Sequence, residues 1–249
     1  MLAAWPQEPP SFRSHVELVE IPCAVVDAKG APVGGLKRED FRVFDNDTPR
    51  VVQQFWADDD TALTLGVIVD ESESQREQVE EHRAAAEALL KRILRPGDTS
   101  FVMHVAVGSS PLWDAVYEAA HFKLHGVNGS KALLILTDGF DNTSVHTWRR
   151  AADEVHKAEA NLYAIQYPPV GGSRFAPDLY RLVAEAGGAT FEPPRGDYAR
   201  MVARIETDLR HRYVLGFRPE VVSGKARHEV RVEVARPGVS VRARRIYFR

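Results

Sequence analysis

The segment Asp70-Glu71-Ser72-Glu73-Ser74 puts three oxygen-bearing side chains, Asp70, Ser72 and Ser74, at alternate positions. One carboxylate and two hydroxyls on a tight loop converge readily on a hard cation. Oxygen-only donors suit Mg²⁺, Mn²⁺ or Ca²⁺ rather than zinc. A second carboxylate, Asp138, sits in Thr137-Asp138-Gly139, again just past an apolar run, and Gly139 lets the backbone turn sharply there. The plain alternative is that Ser74 caps a helix opening at Gln75, where acids are favoured near the first turn.

These residues need elements to hold them. Residues 61–69 (TALTLGVIV) form a near-continuous apolar run ending at Asp70, as a strand buried on both faces requires. A helix is expected over 75–94, with Val79, Ala86, Leu90 and Ile93 at helical spacing. Pro96-Gly97-Asp98 breaks the chain, and 101–106 reads as a second strand. Ser110-Pro111 then opens a helix through Ala120, with serine as N-cap and proline in the first turn. Residues 132–137 (ALLILT) form a third buried strand. A helix over 145–158, a strand over 161–167 and a helix from Pro177 to the Gly187-Gly188 stop follow. A short strand at 189–192 and a helix from an Asp197 cap to Arg210 complete the series. Repeated β-α units at these intervals predict a doubly wound, mostly parallel α/β sheet with helices on both faces.

In a sheet of this class the carboxyl ends of the strands line the ligand crevice. Asp70 and Asp138 both fall at such ends.

The two ends of the chain read differently. Strands are expected at 15–27, 41–45 and 51–56, with turns at Lys29-Gly30 and Asn46-Asp47. Further strands are expected at 213–217, 228–235 and 239–247. HEVRVEVA from His228 alternates strictly, so one face is buried and one is wet. The expected organisation is an N-terminal β segment over 1–60, an α/β domain over 61–210 and a C-terminal β segment over 211–249. The two end segments then pack as one small β-sandwich; the alternative is that both extend the central sheet. Residues 1–12 are proline-rich and read as a disordered lead-in.

The motifs resemble those of the von Willebrand factor type A fold. Asp70-Glu71-Ser72-Glu73-Ser74 matches its DxSxS pattern, which builds the metal-ion-dependent adhesion site, and Thr137-Asp138-Gly139 resembles the aspartate that completes it. Between them, the segment from Gly108 through Ser110-Pro111-Leu112 to Ala115 resembles the family's GGTxLxxA. Ser110 then stands where the family has a metal-binding threonine; serine keeps the hydroxyl and loses a methyl. Val25-Val26-Asp27-Ala28-Lys29-Gly30, Tyr213-Val214-Leu215-Gly216-Phe217 and Arg236-Pro237-Gly238-Val239 extend the likeness to bacterial von Willebrand A-related proteins of the acidobacterial type, over nearly the whole chain.

The resemblance implies binding rather than turnover. Ser72, Ser74 and Ser110 would touch one Mg²⁺ (or Mn²⁺ or Ca²⁺), and Asp70 and Asp138 would help directly or through water. An open coordination position would accept an acidic side chain of a partner protein. It also implies an exported protein, secreted, periplasmic or at the cell surface. Two departures stand out. The strand at 101–106 runs almost directly into Gly108, where the family places a hairpin and a helix. Glu71 and Glu73 add acid beside the site.

Other chemistries find little support. Net charge is −3 and no basic excess points to nucleic acid. Arg242, Arg244, Arg245 and Arg249 read as a solvated strand face. No apolar stretch is long enough to span a membrane, and the first ten residues lack a basic n-region and a full h-region. The single cysteine, Cys23, lies in an apolar run and reads as a buried thiol. The nine histidines contain no HExxH, and the helix is expected to end between His121 and His125, which disfavours zinc. Asp141 and Asn142 read as turn formers. No GxGxxG follows a strand and no GxSxG appears, so neither a dinucleotide site nor a serine hydrolase is expected. Two other readings stay open. One is a metal-dependent phosphoryl-transfer enzyme, although Ser72 stands where that mechanism needs a general acid. The other is a metal-free scaffold with a degenerate site.

Overall fold

The computed structural model describes residues 18–71, 79–105, 110–167, 176–192, 199–219 and 227–249. Ser72, Ser74 and Glu73 therefore lie outside the described residues, as do the expected lead-in, Asp197 and the loop before Ser110.

The centre is a five-stranded sheet of β5 (Leu63–Asp70), β6 (Thr99–Val105), β7 (Ser130–Thr137), β8 (Asn161–Gln166) and β9 (Thr190–Phe191). Its order is β6-β5-β7-β8-β9, and every pairing is parallel. β5 and β7 are apolar without alternation because both of their faces are covered. On one face Ile68, Leu133, Ile135 and Leu162 pack against α2 (Leu112–Glu118), α3 (Trp148–Lys157) and α4 (Pro177–Glu185). On the other, Leu65, Val67, Leu134 and Tyr163 pack against α1 (Val79–Ile93) and α5 (Ala199–Arg210). Each fully buried aliphatic side chain contributes about 1.5–3 kcal/mol, so these two layers dominate the fold's stability. The buried stripe of α1 is His82, Ala85, Ala86, Leu89 and Ile93. Val79 and Leu90, expected to anchor it, lie at its margins.

The chain ends form a sandwich of two antiparallel sheets. One holds β12 (Val239–Ala243), β1 (Val19–Asp27), β10 (Arg212–Phe217) and β4 (Val52–Asp58), in that order. The other holds β13 (Ile246–Phe248), β11 (Arg227–Val234), β2 (Phe41–Asp45) and β3 (Thr48–Arg50). Ile21, Cys23, Leu215 and Phe217 of the first face Phe41, Val43, Val230 and Tyr247 of the second across a common core. Cys23 is buried there, and burial pushes its thiol up to about 12. The expected turn at Asn46-Asp47 has both residues at positive φ, 47° and 61°, the geometry of a tight two-residue hairpin.

Three expectations change. The strand expected over 239–247 breaks at Arg244-Arg245, because the chain crosses there from one sheet to the other. Arg245 N donates to Glu185 O at 2.8 Å, which pins the crossing to the end of α4. The late arginines are also not one solvated face. Arg242 pairs with Asp208 of α5 at 2.5 Å, and Arg244, buried, reaches Glu20 O and Glu159. Finally, the helix after Ser110 runs past Ala120 and ends at Leu124, between His121 and His125 as expected. It widens into a π-helical turn over Ala119–Leu124, and His121 Nδ1 lies 2.9 Å from Glu154.

Buried arginines gather where the sandwich meets the amino ends of the parallel strands; Arg242 and Arg244 pair across the junction with Asp208 and Glu159, and Arg212 crosses it by a hydrogen bond. Arg212 contacts Asp58 and donates to Ser130 Oγ at 2.6 Å. Arg210 contacts Asp98 and donates to Ile93 O, the open end of α1.

Candidate metal centre

The parallel sheet grows outward in both directions from β5, so β5 and β7 flank the point where strand order reverses. Crevices open at the carboxyl ends of strands at such a point. Asp70 ends β5, and Asp138 follows β7 directly. Both carboxylates are buried, with 0% of their surface exposed.

Three segments meet at this end. Thr137 Oγ donates to Asp70 Oδ2 at 2.7 Å, so β7 is tied to the end of β5. The same hydroxyl accepts from Gly139 N at 2.9 Å and so shapes the turn that carries Asp138. Phe140 N donates to Asp138 Oδ1 at 2.9 Å, and Gln166 of β8 donates to the Asp138 carbonyl at 3.0 Å. Gly139 has φ +83°, and a Cβ there would lie 2.4 Å from the Ala176 Cβ, so both conformation and space call for glycine.

Ser110 supplies the third segment. It is 3% exposed; its hydroxyl donates to Phe140 O at 2.6 Å and lies 3.5 Å from Asp70 Oδ2. Ser110 is not the N-cap of α2. That place falls to Pro111, and no side chain of that residue caps the helix. The first amides of α2 are served by the loop after Asp138 instead. Trp113 N donates to Asp141 Oδ1 at 3.4 Å, and Asp114 N donates to Ser144 Oγ at 3.1 Å. The Ser110 hydroxyl is thus turned inward toward Asp70.

Asn142 and Asp141, expected only to form a turn, do more. Asn142 Oδ1 accepts from Ser110 N at 2.9 Å, and Asn142 N donates to Ser110 O at 3.1 Å. The two loops are thereby stitched backbone to backbone. Asp114, one turn along α2, accepts from Val145 N and His146 N and from the His146 ring at 2.7 Å. Burial pulls its pKa up, but these donors outweigh it and hold the carboxyl below its usual range. The polar run Asp141-Asn142-Thr143-Ser144 carried the signal, but spacing alone does not show which helix a loop will cap.

The structure thus joins Ser110 to Asp70 and to the Phe140 carbonyl of the turn that carries Asp138. Thr137 is the member that sequence reasoning missed. Glu71, expected to add acid to the site, is tied sideways to His104 at 2.9 Å and to Arg83 at 3.4 Å. Among the described residues, no group of three or more His, Cys, Asp or Glu side chains is placed to hold a metal ion. The described donor set is two carboxylates and one hydroxyl, all oxygen, which suits a hard divalent cation. Asp70 accepts from the Thr137 and Ser110 hydroxyls, and Asp138 accepts from the Phe140 amide.

Beside the centre lies a pocket of about 220 Å³ between Trp113, Phe140 and the start of α4. Phe140 is 38% exposed at its mouth.

No protein-family model matches the chain, and no curated protein matches it. Solved structures do. One is an aerotolerance-related membrane protein from Bacteroides fragilis carrying mutations to serines. It is 12% identical over 59% of this chain and 98% of that one, with a TM-score of 0.43. Another is the conserved hypothetical protein BatB from Bacteroides thetaiotaomicron, 13% identical over 58% and 97%, with a TM-score of 0.39. A third is VWA2, the ArnB paralog of Sulfolobus acidocaldarius, 9% identical over 82% and 69%, with a TM-score of 0.43. The architecture itself is plain: a parallel α/β sheet of the kind the von Willebrand A resemblance implies, joined to a β-sandwich.

Proposed function

We propose that this chain is a divalent-cation-dependent protein-binding module and not an enzyme. The observation that supports it most is the placing of Asp70, Asp138 and Ser110 at the switch point, with both carboxylates fully buried. Two buried carboxylates repel one another and have lost their hydration, and a cation relieves both costs. Asp70, Asp138 and Ser110 would hold Mg²⁺, Mn²⁺ or Ca²⁺, together with Ser72 and Ser74 if they occupy the places the DxSxS resemblance gives them.

Bound there, the cation supplies positive charge and a coordination position for a carboxylate from a partner protein. The chain's own residues do the remainder. Thr137 and Ser110 orient the Asp70 carboxylate, and the stitched loops hold Asp138 near it. The rim formed by Phe140 and Val145, both exposed, gives the partner an apolar surface to press against.

The proposal includes an exported location. Among the described residues, no helix is long and apolar enough to cross a membrane. Immobilised full-length chain offered a carboxylate-bearing protein surface should retain it in Mg²⁺ or Mn²⁺ and release it in chelator. Retention that ignores the chelator would point to recognition by the sandwich instead.

A further inference from the structure

The edges of the three sheets are not protected alike. Among the described residues β9 is two residues long, β13 is three, and β3 is three with Pro49 at its centre. β12 carries Arg242, and the pairing of β4 with β10 is irregular at Gly216-Phe217. Short strands, proline, charge and bulges are the devices that keep an edge from pairing with another chain. β6 has none of them. It is seven residues long and pairs only with β5, in an unbroken register. Its sequence, TSFVMHV, holds no proline, lysine, arginine or acid. Val102, at its middle, is 46% exposed.

Val105 O accepts from Glu71 N, on the β5 side. The N–H and C=O of one residue share a side and successive residues alternate, so Ser100, Val102 and His104 aim theirs away from β5. The segment after β6 is too short to cover them, since four residues separate Val105 from Ser110. The strand's own copy fits that side. An antiparallel pairing about a two-fold axis at Val102 sets Val102 against Val102 and Ser100 against His104 of the second copy. On the opposite face Phe101 meets Met103, an aromatic ring against a thioether. The charges beside the edge match as well. Arg83 of α1 reaches Glu71, whose carboxylate holds His104, so that face of α1 lies toward β6. Along it run Glu80, Arg83, Glu87 and Lys91, all exposed, alternating in sign at helical spacing. Reversed by the same axis, each acid comes opposite a base.

We infer that β6 is the contact edge of a homodimer. Two copies join antiparallel about an axis at Val102, so that the parallel sheet of each continues into the other. The charged row on α1 faces its own reverse across the join. The contact needs no cation.

The test uses the full chain in chelator. Sedimentation should show monomer and dimer exchanging with concentration. Amide exchange at Ser100, Val102 and His104, followed by NMR, should slow by about tenfold or more as the dimer fills. Val102→Lys sets two like charges opposite each other on the axis. It should weaken the dimer by about tenfold or more and leave the unfolding midpoint unchanged, because that side chain is already exposed. Val102→Cys should form a disulfide between copies, since opposed bonded residues stand about 5.5 Å apart at Cα. Ser100→Cys, off the axis, should not, and the native thiol of Cys23 is buried. A chain that stays monomeric at its highest soluble concentration would overturn the inference. So would a dimer indifferent to Val102→Lys, or one cross-linked equally by both cysteine variants, because the contact then lies elsewhere. Edge amides protected to the same degree at every concentration would also overturn it, and would assign β6 to a segment of the same chain.

Discussion

The two ends of the parallel sheet treat buried acids in opposite ways. At the amino end, where the sandwich docks, each buried acid meets a guanidinium: Asp58 with Arg212, Asp98 with Arg210, and Asp208 with Arg242. At the carboxyl end, Asp70 and Asp138 meet the hydroxyls of Thr137 and Ser110 and the Phe140 amide. The first end is a closed joint whose charges are internally matched. The second is the end at which the proposed cation would sit. Burial is similar at both, so the two ends differ in the partners their acids meet and not in depth.

The largest effect should come from breaking the joint. Arg210→Ala strands the Asp98 carboxylate and the Ile93 carbonyl, and should cost about 3–5 kcal/mol in denaturant unfolding. A loss below about 1 kcal/mol would mean that the joint is not matched as described. The same change at the other end should behave differently. Asp70→Asn should lower Mg²⁺ affinity by about a hundredfold or more. In chelator it should change stability by less than about 1 kcal/mol, since the amide keeps the carboxylate's size and can still accept from Thr137.

Acid sharpens the contrast. Burial raises the pKa of Asp58 and of Asp98, but backbone and arginine donors outweigh it and leave both below their ordinary value. A folded pKa below the unfolded one contributes stability above about pH 4, and that contribution is lost as pH falls through the folded value. Wild type should therefore lose stability steeply only below about pH 4, and Arg210→Ala should show a shallower acid limb. An identical limb in the variant would remove Arg210 from the account. Gly139→Ala should cost about 1–3 kcal/mol, from positive φ and the Ala176 contact, with metal affinity falling alongside. The smallest effect belongs to Ser110→Thr. It restores the residue of the resembled motif and should change Mg²⁺ affinity by no more than about threefold. A large loss would show that the extra methyl collides with Phe140, so that the inward turn of Ser110 is specific to serine.

Much of this was legible in the residues. Apolar runs ending at Asp70 and Thr137 announced buried parallel strands, and the strict alternation from His228 announced a half-wet one. The placing of Asp70 and Asp138 at the carboxyl ends of adjacent strands followed from the same runs. What stayed hidden depends on contacts far apart in the chain. Nothing local in Arg242 and Arg244 shows that Asp208 and Glu159 will cover them. The break at Arg244-Arg245 depends on the carbonyl of Glu185 at the end of another helix. Ser-Pro at 110–111 looked like a helix start, and the helix does begin there. The loop around Asp141 and Ser144 took over the capping and freed the Ser110 hydroxyl. Thr137 read as the last apolar strand residue's polar neighbour, and only the adjacent strand reveals its bond to Asp70.

The central claim is that the carboxyl end of the sheet holds one divalent cation. Titration calorimetry of Mg²⁺ and Mn²⁺ into wild type and Asp70→Asn tests it most directly. The account predicts saturable binding at one site per chain in wild type and none in the variant at the same concentrations. Equal affinity in the two proteins would contradict it.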